Sequence, residues 1–470
     1  MTNQSYPAEA KPQRLKPPSL RETYEKNPEQ GRVVAATVIG TSLEWYDFFV
    51  YASAAGLVFG KLFFEPAGPS AAMLLSFATV GVSFLFRPLG AVIAGHLGDK
   101  YGRRFVLVLT LWVMGGATAL IGVLPTFESI GILAPILLIT LRVLQGISAG
   151  GEWGGAVLMA VEHADPGRRG LMGAPPQIGV PLGLLMSSAV MAIMAMIAPG
   201  DKFLEWGWRV PFLLSIVLVG VGYWIRRSVE ESPVFKEIEE RAEETKTPLK
   251  TLFQRFWPLV IIAALVFAGN SAVGYMTTGG YIQRYATQPI ADGGAIGLPT
   301  SGVLWAVTGS AVTWLLSTLV AGYVSDYLGR KNTYILGWFL QLGGVIALFP
   351  IVNHGTVWSL FLGLAVLTIG LGFTYGPQAA FYAELYPASV RFSGVSISYA
   401  LGAIIGGAFA PMIAQALMQA YGTTWAITAY LAGMTVVGLI ATLVLRDRSG
   451  IPLGLDHCKE QNEQVITFLK

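Results

Sequence analysis

The stretch GHLGDKYGRR, Gly95–Arg104, decides how the rest of this chain is interpreted. It is a short charged segment between two long apolar runs. It returns about half the chain length later as GYVSDYLGRK, Gly322–Lys331, with glycine, aspartate, glycine and arginine at the same spacing. A segment that recurs at such an interval indicates an internal duplication. We therefore predict two similar halves and call the two copies repeat loop 1 and repeat loop 2.

The composition indicates a membrane protein. Of 470 residues, 53% are hydrophobic and only 13% are charged, and the mean hydropathy is +0.58. Because the surface of a soluble domain carries about a quarter charged residues, most of this surface is expected to face lipid. The single cysteine excludes an intramolecular disulfide framework. Since no metal-ligand, phosphate-loop or nucleophile pattern stands out, we expect no metal, no cofactor, no nucleic-acid partner and no enzyme activity.

Apolar runs long enough to span a membrane, about 20 residues, occur twelve times. They cover 33–60, 71–97, 105–126, 130–162, 170–198, 207–226, 258–284, 301–323, 333–352, 357–380, 393–419 and 424–446. We predict an all-α polytopic membrane protein with 12 transmembrane helices in two six-helix halves. The predicted parts are a tail (1–32), the first half (33–226), a central loop (227–257), the second half (258–446) and a second tail (447–470).

The distribution of positive charge predicts the orientation. Most of the 31 lysines and arginines lie in the two tails and in the even-numbered breaks between spans, and cytoplasmic segments carry such an excess. Both termini and both repeat loops are therefore predicted to be cytoplasmic, in a multi-pass protein of the plasma (inner) membrane. Two parallel halves suit alternating access to a site near the midplane, and one chain with both halves is expected to function as a monomer.

Charged side chains inside apolar spans are costly and usually functional. The first span contains Glu44 and Asp47, which share one helix face with Tyr51. Two carboxylates this close in a low-dielectric medium repel each other, so one of them is expected to carry a proton. The alternative is that both are fixed partners of buried bases.

Two buried bases are available, Arg87 in the second span and Arg142 in the fourth. Neither can be neutralised by deprotonation, so each requires a carboxylate, backbone carbonyls, water or an anionic ligand. A guanidinium can bind a substrate carboxylate through two hydrogen bonds. We therefore predict that Arg142 or Arg87 binds substrate and that Asp47, Glu44 or Glu152 carries a proton. A purely structural charge network is the alternative.

Uncharged polar residues complete the predicted site, because no carboxylate lies deep within the spans of the second half. Each of them either hydrogen-bonds the substrate or is a satisfied packing residue. The candidates are Tyr51, Gln177, Asn270, Tyr275 and Gln378. In the fourth span Gly146, Gly150 and Gly154 recur at intervals of four, a pattern that favours close helix packing.

The repeat loops resemble the signature loops of the major facilitator superfamily, and the resemblance covers nearly the whole chain. Six motifs resemble, more narrowly, the metabolite:proton symporter family, whose members take up small organic acids and zwitterions such as shikimate, citrate, proline and betaine. The first half is especially similar to bacterial shikimate transporters. The motifs are EWYDF (Glu44–Phe48), FRPLG (Phe86–Gly90), RVLQG (Arg142–Gly146), GGEWGG (Gly150–Gly155), WGWRVPF (Trp206–Phe212) and ESP (Glu231–Pro233).

The resemblance implies a cytosolic gate at the repeat loops. In the superfamily the aspartate of the first loop engages the cytosolic end of span 11 and a nearby arginine, which holds the outward-open state. This role is carried onto Asp99 with Arg103, and onto Asp326 with Arg330. A segment similar to the superfamily's loop between spans 10 and 11 adds two residues. The predicted gate set is Gly95, Asp99, Gly102, Arg103, Arg104, Asp326, Gly329, Arg330, Glu384 and Arg391.

The predicted function is proton-coupled symport of a small organic acid, shikimate-like or another mono- or dicarboxylate, into the cell by alternating access. The partners are this substrate, protons and the lipid bilayer. Proton-coupled uptake of a zwitterionic osmolyte such as proline or betaine is an alternative, as is an uncoupled facilitator. Osmolyte carriers of the family tend to have a long coiled-coil tail. The tail after Arg446 is short and lacks sustained heptads, which favours the organic acid.

Overall fold

The computed structural model describes residues 28–101, 103–150, 152–162, 164–227, 248–278, 280–290, 294–388, 390–454, 461 and 465–466. This part of the chain is helical, apart from an isolated antiparallel bridge between Leu445 and Ile466. The first half contains α1 (Pro28–Ala54, extended by a π-helical turn Ala55–Phe59 and by Gly60–Phe63), α2 (Pro69–Tyr101), α3 (Arg103–Val123), α4 (Leu133–Ala149 and Glu152–Glu162), α5 (Arg169–Ile197) and α6 (Arg209–Leu213 and Ser215–Arg227). Short turns of helix lie at Phe127–Ile130, Pro166–Arg168 and Phe203–Gly207.

The second half repeats this plan. It contains α7 (Trp257–Thr278 and Tyr281–Thr287), α8 (Thr300–Leu328), α9 (Arg330–Val352), α10 (Val357–Tyr375 and Gln378–Leu385), α11 (Arg391–Gly402, a π-helical turn Ala403–Gly407, and Ala410–Tyr421) and α12 (Thr424–Val444). A short helix, Pro248–Arg255, precedes α7. The rest of the predicted central loop, residues 228–247, and the first 27 residues lie outside the described residues.

The helices coincide with the predicted spans, which confirms the all-α membrane fold. Within the described residues, 10 helices are long and apolar enough to cross a membrane. The other two predicted spans are α1, which carries two carboxylates, and α3, whose described apolar part, Val108–Val123, is shorter. Exposed side chains on the helices include many leucines, isoleucines, valines and tryptophans, as expected where a bundle of helices meets hydrocarbon.

Two helices extend further than predicted, and this corrects one expectation. Helices α8 and α10 end at Leu328 and Leu385, so Asp326 and Glu384 lie in helical turns rather than in loops. Glu384 is only 2% exposed, but it lies at the C-terminal end of α10, beyond the predicted span 357–380, and so is not a carboxylate deep within a span. Its ion pairs with arginines, described below, compensate the cost of burying the charge.

Glycines bring α2 and α4 into backbone contact. A Cβ added at Gly146 would lie 2.2 Å from the carbonyl oxygen of Ser83, and one at Gly150 would lie 2.1 Å from that of Arg87. Two glycines of the pattern predicted for packing thus lie where this pair of helices crosses, whereas the third, Gly154, faces α11. As a result α2 and α4 present their arginines from one closely packed unit.

The two halves touch along several helix pairs. Helix α5 packs on α8, α2 on α11, α1 on α7, and α4 on α10 and α11. We call the end of the bundle that carries the α2–α3 and α8–α9 connections the repeat face, and the other end the opposite face. Contacts between the halves occur at both faces, so the groups between them are shielded from both sides.

Candidate substrate site and gates

Glu44 of α1 and Arg87 of α2 form a buried ion pair. Arg87 Nη2 lies 3.6 Å from Glu44 Oε1, and the side chains are 7% and 6% exposed. Arg87 Nε has no hydrogen-bond partner among the described residues. The guanidinium therefore retains donor capacity toward a second anion.

Aromatic rings connect this ion pair to the second half. The Arg87 guanidinium lies 4.5 Å from the ring centroid of Phe84 and 5.5 Å from that of Trp45. Both rings in turn contact Tyr275 of α7, with centroid separations of 5.0 Å for Phe84 and 5.8 Å for Trp45. The predicted site residues Glu44, Arg87 and Tyr275 are thus brought together at the junction of the halves.

Asp47 points to a different neighbour from Glu44. Its Oδ1 accepts a short hydrogen bond from the hydroxyl of Ser215 in α6. In the described part of the chain Asp47 forms no ion pair, although it is only 5% exposed. Both carboxylates nevertheless line one small cavity between α1, α3 and α6. Asp47 is therefore a buried acid whose negative charge has no positive partner in the described chain.

Arg142 is held by neutral oxygens. Its Nε and Nη2 donate to the carbonyl oxygens of Thr79 (3.2 Å) and Val80 (2.9 Å) in α2, and Nη1 donates to Gln145 Oε1 (2.8 Å). The guanidinium also lies 3.8 Å from the ring centroid of Tyr51. Nη2 also donates to Ser83 Oγ at 3.0 Å, so two hydrogen bonds go to backbone carbonyls, one of the predicted alternatives, and two go to neutral side chains. Arg142 and Tyr51 thus tie α1, α2 and α4 together within the first half.

The remaining predicted site residues differ in how many hydrogen bonds their side chains form. Gln177 accepts from Trp153 Nε1 (3.0 Å) and donates to the carbonyl of Tyr375 (3.2 Å), so it connects the halves. Asn270 donates to Thr374 Oγ1 at 2.7 Å within the second half. Gln378 is fully buried, yet neither atom of its amide has a hydrogen-bond partner among the described residues. The side chain of Glu152 lies outside the described residues.

A charge cluster joins the halves at the repeat face. Asp326 accepts hydrogen bonds from the backbone N–H groups of Gly170 (2.8 Å) and Leu171 (2.9 Å), at the start of α5. Negative charge at a helix N-terminus is favourable because of the helix dipole. Arg330 Nη1 donates to Asp326 Oδ1 at 2.6 Å, and Arg330 Nε donates to Glu384 Oε2 at 3.1 Å. The second repeat loop thus contacts the first half directly.

Glu384 also binds the first half. Arg169 of α5 lies 3.4 Å from Glu384 Oε1, so one carboxylate bridges two arginines from different halves. Arg391 Nη1 pairs with Glu162 Oε1 of α4 at 3.0 Å. Gly329 allows the turn between α8 and α9, since its φ of +88° favours glycine.

The chain after α12 crosses this cluster. We call Arg446–Gly454 the C-terminal strap. Arg169 Nη1 donates to the carbonyl of Ile451 (2.6 Å), Arg391 Nη1 donates to that of Leu453 (3.0 Å), and the N–H of Gly450 donates to Glu384 Oε1 (3.2 Å). The predicted C-terminal tail therefore begins as an ordered part of the repeat face.

The backbone of repeat loop 1 is described except at Gly102, but most of its side chains are not. Gly102 is among the residues left out, and the side chains of Asp99, Arg103 and Arg104 and the surroundings of Gly95 are likewise not described. Its gating role stays a prediction.

At the opposite face the two halves meet, among the described residues, through backbone atoms and not through charged side chains. A Cβ added at Gly56 of α1 would lie 2.3 Å from the carbonyl oxygen of Gly280 in α7. Gly280 has a φ of +95°, and beside this contact Gln283 Nε2 donates to Ser53 Oγ at 3.1 Å. The two faces thus close by different chemistry.

We expect the substitution Gly56→Val to lower the initial uptake rate at least tenfold, because the added side chain prevents α1 and α7 from approaching. The matched control is Gly433→Val in α12, where an added Cβ meets nothing within 4 Å. Uptake is measured at equal protein abundance in the membrane. Wild-type rates for Gly56→Val would show that this contact need not form during transport.

Several contributors were not predicted from the sequence, among them Arg169, Glu162, Ser215 and the C-terminal strap. Ser215 could have been recognised as a candidate from the sequence, because it carries the lone hydroxyl in the apolar run Pro211–Leu218. The C-terminal strap contributes mainly backbone atoms and carries no side-chain pattern. Among the described residues, no three histidine, cysteine, aspartate or glutamate side chains are placed to hold a metal ion.

Solved structures share this architecture. A D-xylose–proton symporter superposes with a TM-score of 0.70 at 18% identity, covering 89% of this chain and 98% of that one. A proton:xylose symporter bound to 6-bromo-6-deoxy-D-glucose gives 0.71 at 17%, covering 92% and 99%. At these identities the likeness establishes the fold alone, which is that of a multi-pass helical membrane protein.

Sequence relatives identify the family. Residues 33–260 match the family model for sugar (and other) transporters, and residues 280–457 match that of the major facilitator superfamily. An inner membrane metabolite transport protein of Escherichia coli K12 is 37% identical over 89% of this chain and 94% of its own length. The shikimate transporter of the same organism is 36% identical (88% and 94%), and its proline/betaine transporter is 30% identical (94% and 89%).

The chain belongs to the major facilitator superfamily, within the group of bacterial metabolite transporters that these relatives represent. The predicted resemblance is confirmed. The protein is accordingly a transporter and not an enzyme.

Proposed function

We propose that the protein imports a small organic acid together with protons across a bacterial inner membrane by alternating access. In this proposal the repeat face and both termini are cytoplasmic, and a single chain is the working unit. The excess of lysine and arginine on the repeat-face side supports this orientation. The relationship to an inner membrane metabolite transport protein and to a shikimate transporter supports the location and the substrate class.

The observation that carries the proposal is the buried Glu44–Arg87 pair beside Tyr275 of the other half. A proton arriving on Glu44 removes the charge that holds Arg87, and the freed guanidinium then binds the substrate carboxylate. The net charge of the site is the same before and after loading. A proton alone, or an anion alone, would leave one uncompensated charge buried between the halves, which is costly. Loading of the proton together with the substrate anion is therefore favoured over loading of either one alone, and this couples their transport.

Asp47 is the second proton acceptor in this scheme. It is buried, lacks an ion pair in the described chain and lines the same cavity as Glu44. Arg142 is assigned a structural role here, since its hydrogen bonds go to α2 carbonyls, to Ser83 and to Gln145.

We expect labelled acid to accumulate in cells, and a protonophore to abolish the accumulation. Asp47→Asn is expected to lower accumulation, because one of the two proton acceptors is lost, but to retain exchange of internal for external substrate, because exchange needs no net proton movement. The control is Asp201→Asn, at an exposed position near the opposite face. Accumulation by Asp47→Asn equal to that of the wild type would assign the proton to Glu44 alone. Accumulation that survives the protonophore in the wild type would refute proton coupling and favour an uncoupled facilitator.

A zwitterionic osmolyte is the second candidate. The rings of Trp45, Phe48, Phe84 and Tyr275 form a continuous cluster, and aromatic faces bind quaternary ammonium groups. The relationship to a proline/betaine transporter also supports this substrate. A thermal-shift and uptake screen of shikimate, protocatechuate, 2-oxoglutarate, citrate, proline and betaine separates the two. Uptake of betaine without any acid would replace the first proposal by the second.

A further inference from the structure

A stack of three aromatic rings lies between the halves. Tyr399 of α11 is stacked on Trp153 of α4, with ring centroids 3.7 Å apart and planes 13° apart. Its ring also stacks with Phe267 of α7 at 4.2 Å and 19°. Trp153 belongs to the first half, and the other two rings belong to the second. The hydroxyl of Tyr399 makes no hydrogen bond of normal geometry among the described residues, although the residue is only 4% exposed and its side chain lies beside those of Tyr275 and Tyr375.

Gln378 lies on the α10 face that meets this stack. Tyr375, Gln378 and Tyr382 are spaced three and four residues apart, which places them on one side of a helix. Backbone torsions remain in the right-handed helical region through Gly376 and Pro377, so this spacing holds across the junction of the two α10 segments. The ring of Tyr375 lies 6.3 Å from Phe267, and that of Tyr382 lies 6.5 Å from Trp153. Gln378 is therefore flanked by residues that contact both outer rings.

The unsatisfied amide of Gln378 is unusual among the buried glutamines described. Gln145, Gln177 and Gln341 each hydrogen-bond both through the amide nitrogen and through the amide oxygen. In the described part of the chain Gln283 hydrogen-bonds through its nitrogen alone, and Gln378 through neither atom. Buried polar groups normally find partners, and leaving them unpaired costs free energy. Gln378 and the Tyr399 hydroxyl both belong to the surroundings of this ring stack, because Tyr399 is its central ring and Gln378 lies between two α10 tyrosines that contact its outer rings. This indicates a binding position for a group that both donates and accepts hydrogen bonds.

We propose that Gln378 and the Tyr399 hydroxyl form a second subsite, which recognises hydroxyl groups of the substrate. The amide offers a donor and an acceptor, as a hydroxyl requires. The proposal rests on the proposed function, in which Arg87 takes the carboxylate. The substrate class is then a small carboxylic acid with hydroxyl groups on its carbon frame, distinguished at this subsite from the corresponding deoxy acid.

The test compares shikimate with its deoxy analogue cyclohex-1-ene-1-carboxylate. We expect the wild type to favour shikimate, and Gln378→Leu or Tyr399→Phe to reduce the ratio of the two uptake efficiencies (kcat/KM) about tenfold or more, because a hydrogen-bonding site discriminates strongly against a ligand that lacks its partner group. The control is Tyr382→Phe, which removes a hydroxyl that already donates to the carbonyl of Ala263. That variant should keep the wild-type ratio.

Thermal stability of the purified, substrate-free protein gives a second and independent readout. Tyr382→Phe is expected to lower Tm, because it removes a buried hydrogen bond between α10 and α7. Gln378→Leu and Tyr399→Phe are expected to leave Tm unchanged or raised, because they remove groups without partners. An unchanged uptake ratio, or a loss of Tm equal to that of Tyr382→Phe, would overturn the subsite. A wild type that accumulates no acid would refute the proposed function instead, and the Tm comparison would still decide whether these groups are unpaired.

Discussion

The double variant Glu44→Gln/Arg87→Met is expected to regain most of the thermal stability that either single variant loses, without regaining uptake. Removing one partner leaves an uncompensated buried charge and costs about 3–5 kcal/mol, whereas neutralising both partners is close to neutral. Uptake is expected to fall at least 100-fold in all three variants. Arg87→Met removes the guanidinium that binds the substrate, and Glu44→Gln removes the carboxylate whose protonation frees that guanidinium.

The measurements are Tm of the purified proteins and initial uptake rates at equal abundance in the membrane. The two readouts separate a structural role from a functional one. If the ion pair only stabilises the packing of α1 on α2, the double variant will recover transport together with stability. Recovery of both would remove Arg87 from the substrate site.

The substitution Glu384→Gln is expected to open the repeat face. The carboxylate accepts hydrogen bonds from Arg169, Arg330 and the N–H of Gly450. Hydrogen bonds to charged groups are worth about 1.5–3 kcal/mol each. A net loss of about 2 kcal/mol would change the ratio of closed to open molecules roughly 30-fold, since about 1.4 kcal/mol corresponds to a factor of ten.

Spin labels at Asp165→Cys and Asn332→Cys, with Cys458→Ser as background, report this opening. The two labelled positions are exposed and lie on different halves at the repeat face. We expect the distance distribution of Glu384→Gln to gain a longer component. Glu162→Gln is the control, because its carboxylate is 26% exposed and ion pairs near solvent contribute little. A distribution identical to the wild type would show that Glu384 does not hold the halves together.

The ionic centre could be predicted because few candidates existed. Apolar spans of the first half contain two arginines and three acids, so a pairing such as Glu44 with Arg87 was within a short set of choices. The helix that the Asp47 side chain contacts could not be predicted. Residues three apart on a helix differ by about 60° around its axis, and this difference places Glu44 against α2 and Asp47 against α6. Which helices flank α1 is a property of tertiary packing.

The hydrogen-bond partners of Arg142 could not be predicted from the sequence either. Its sequence position indicated only that it requires oxygens. The choice of carbonyl oxygens follows from the approach of α2 to α4 at Gly146 and Gly150, which brings the backbone near Thr79 and Val80 within reach. The spacing of these glycines indicated close packing but did not name the partner helix.

The C-terminal strap has a practical consequence for work on the molecule. Ile451 and Leu453 engage the gate arginines through carbonyl oxygens, and Gly450 engages Glu384 through its N–H. Side-chain substitutions at Ile451 and Leu453 leave these atoms in place, whereas one inserted or deleted residue would shift them all. An affinity tag or fluorescent reporter is therefore best joined after Lys470. A fusion made at Arg446 would discard the backbone atoms that bind Arg169 and Arg391.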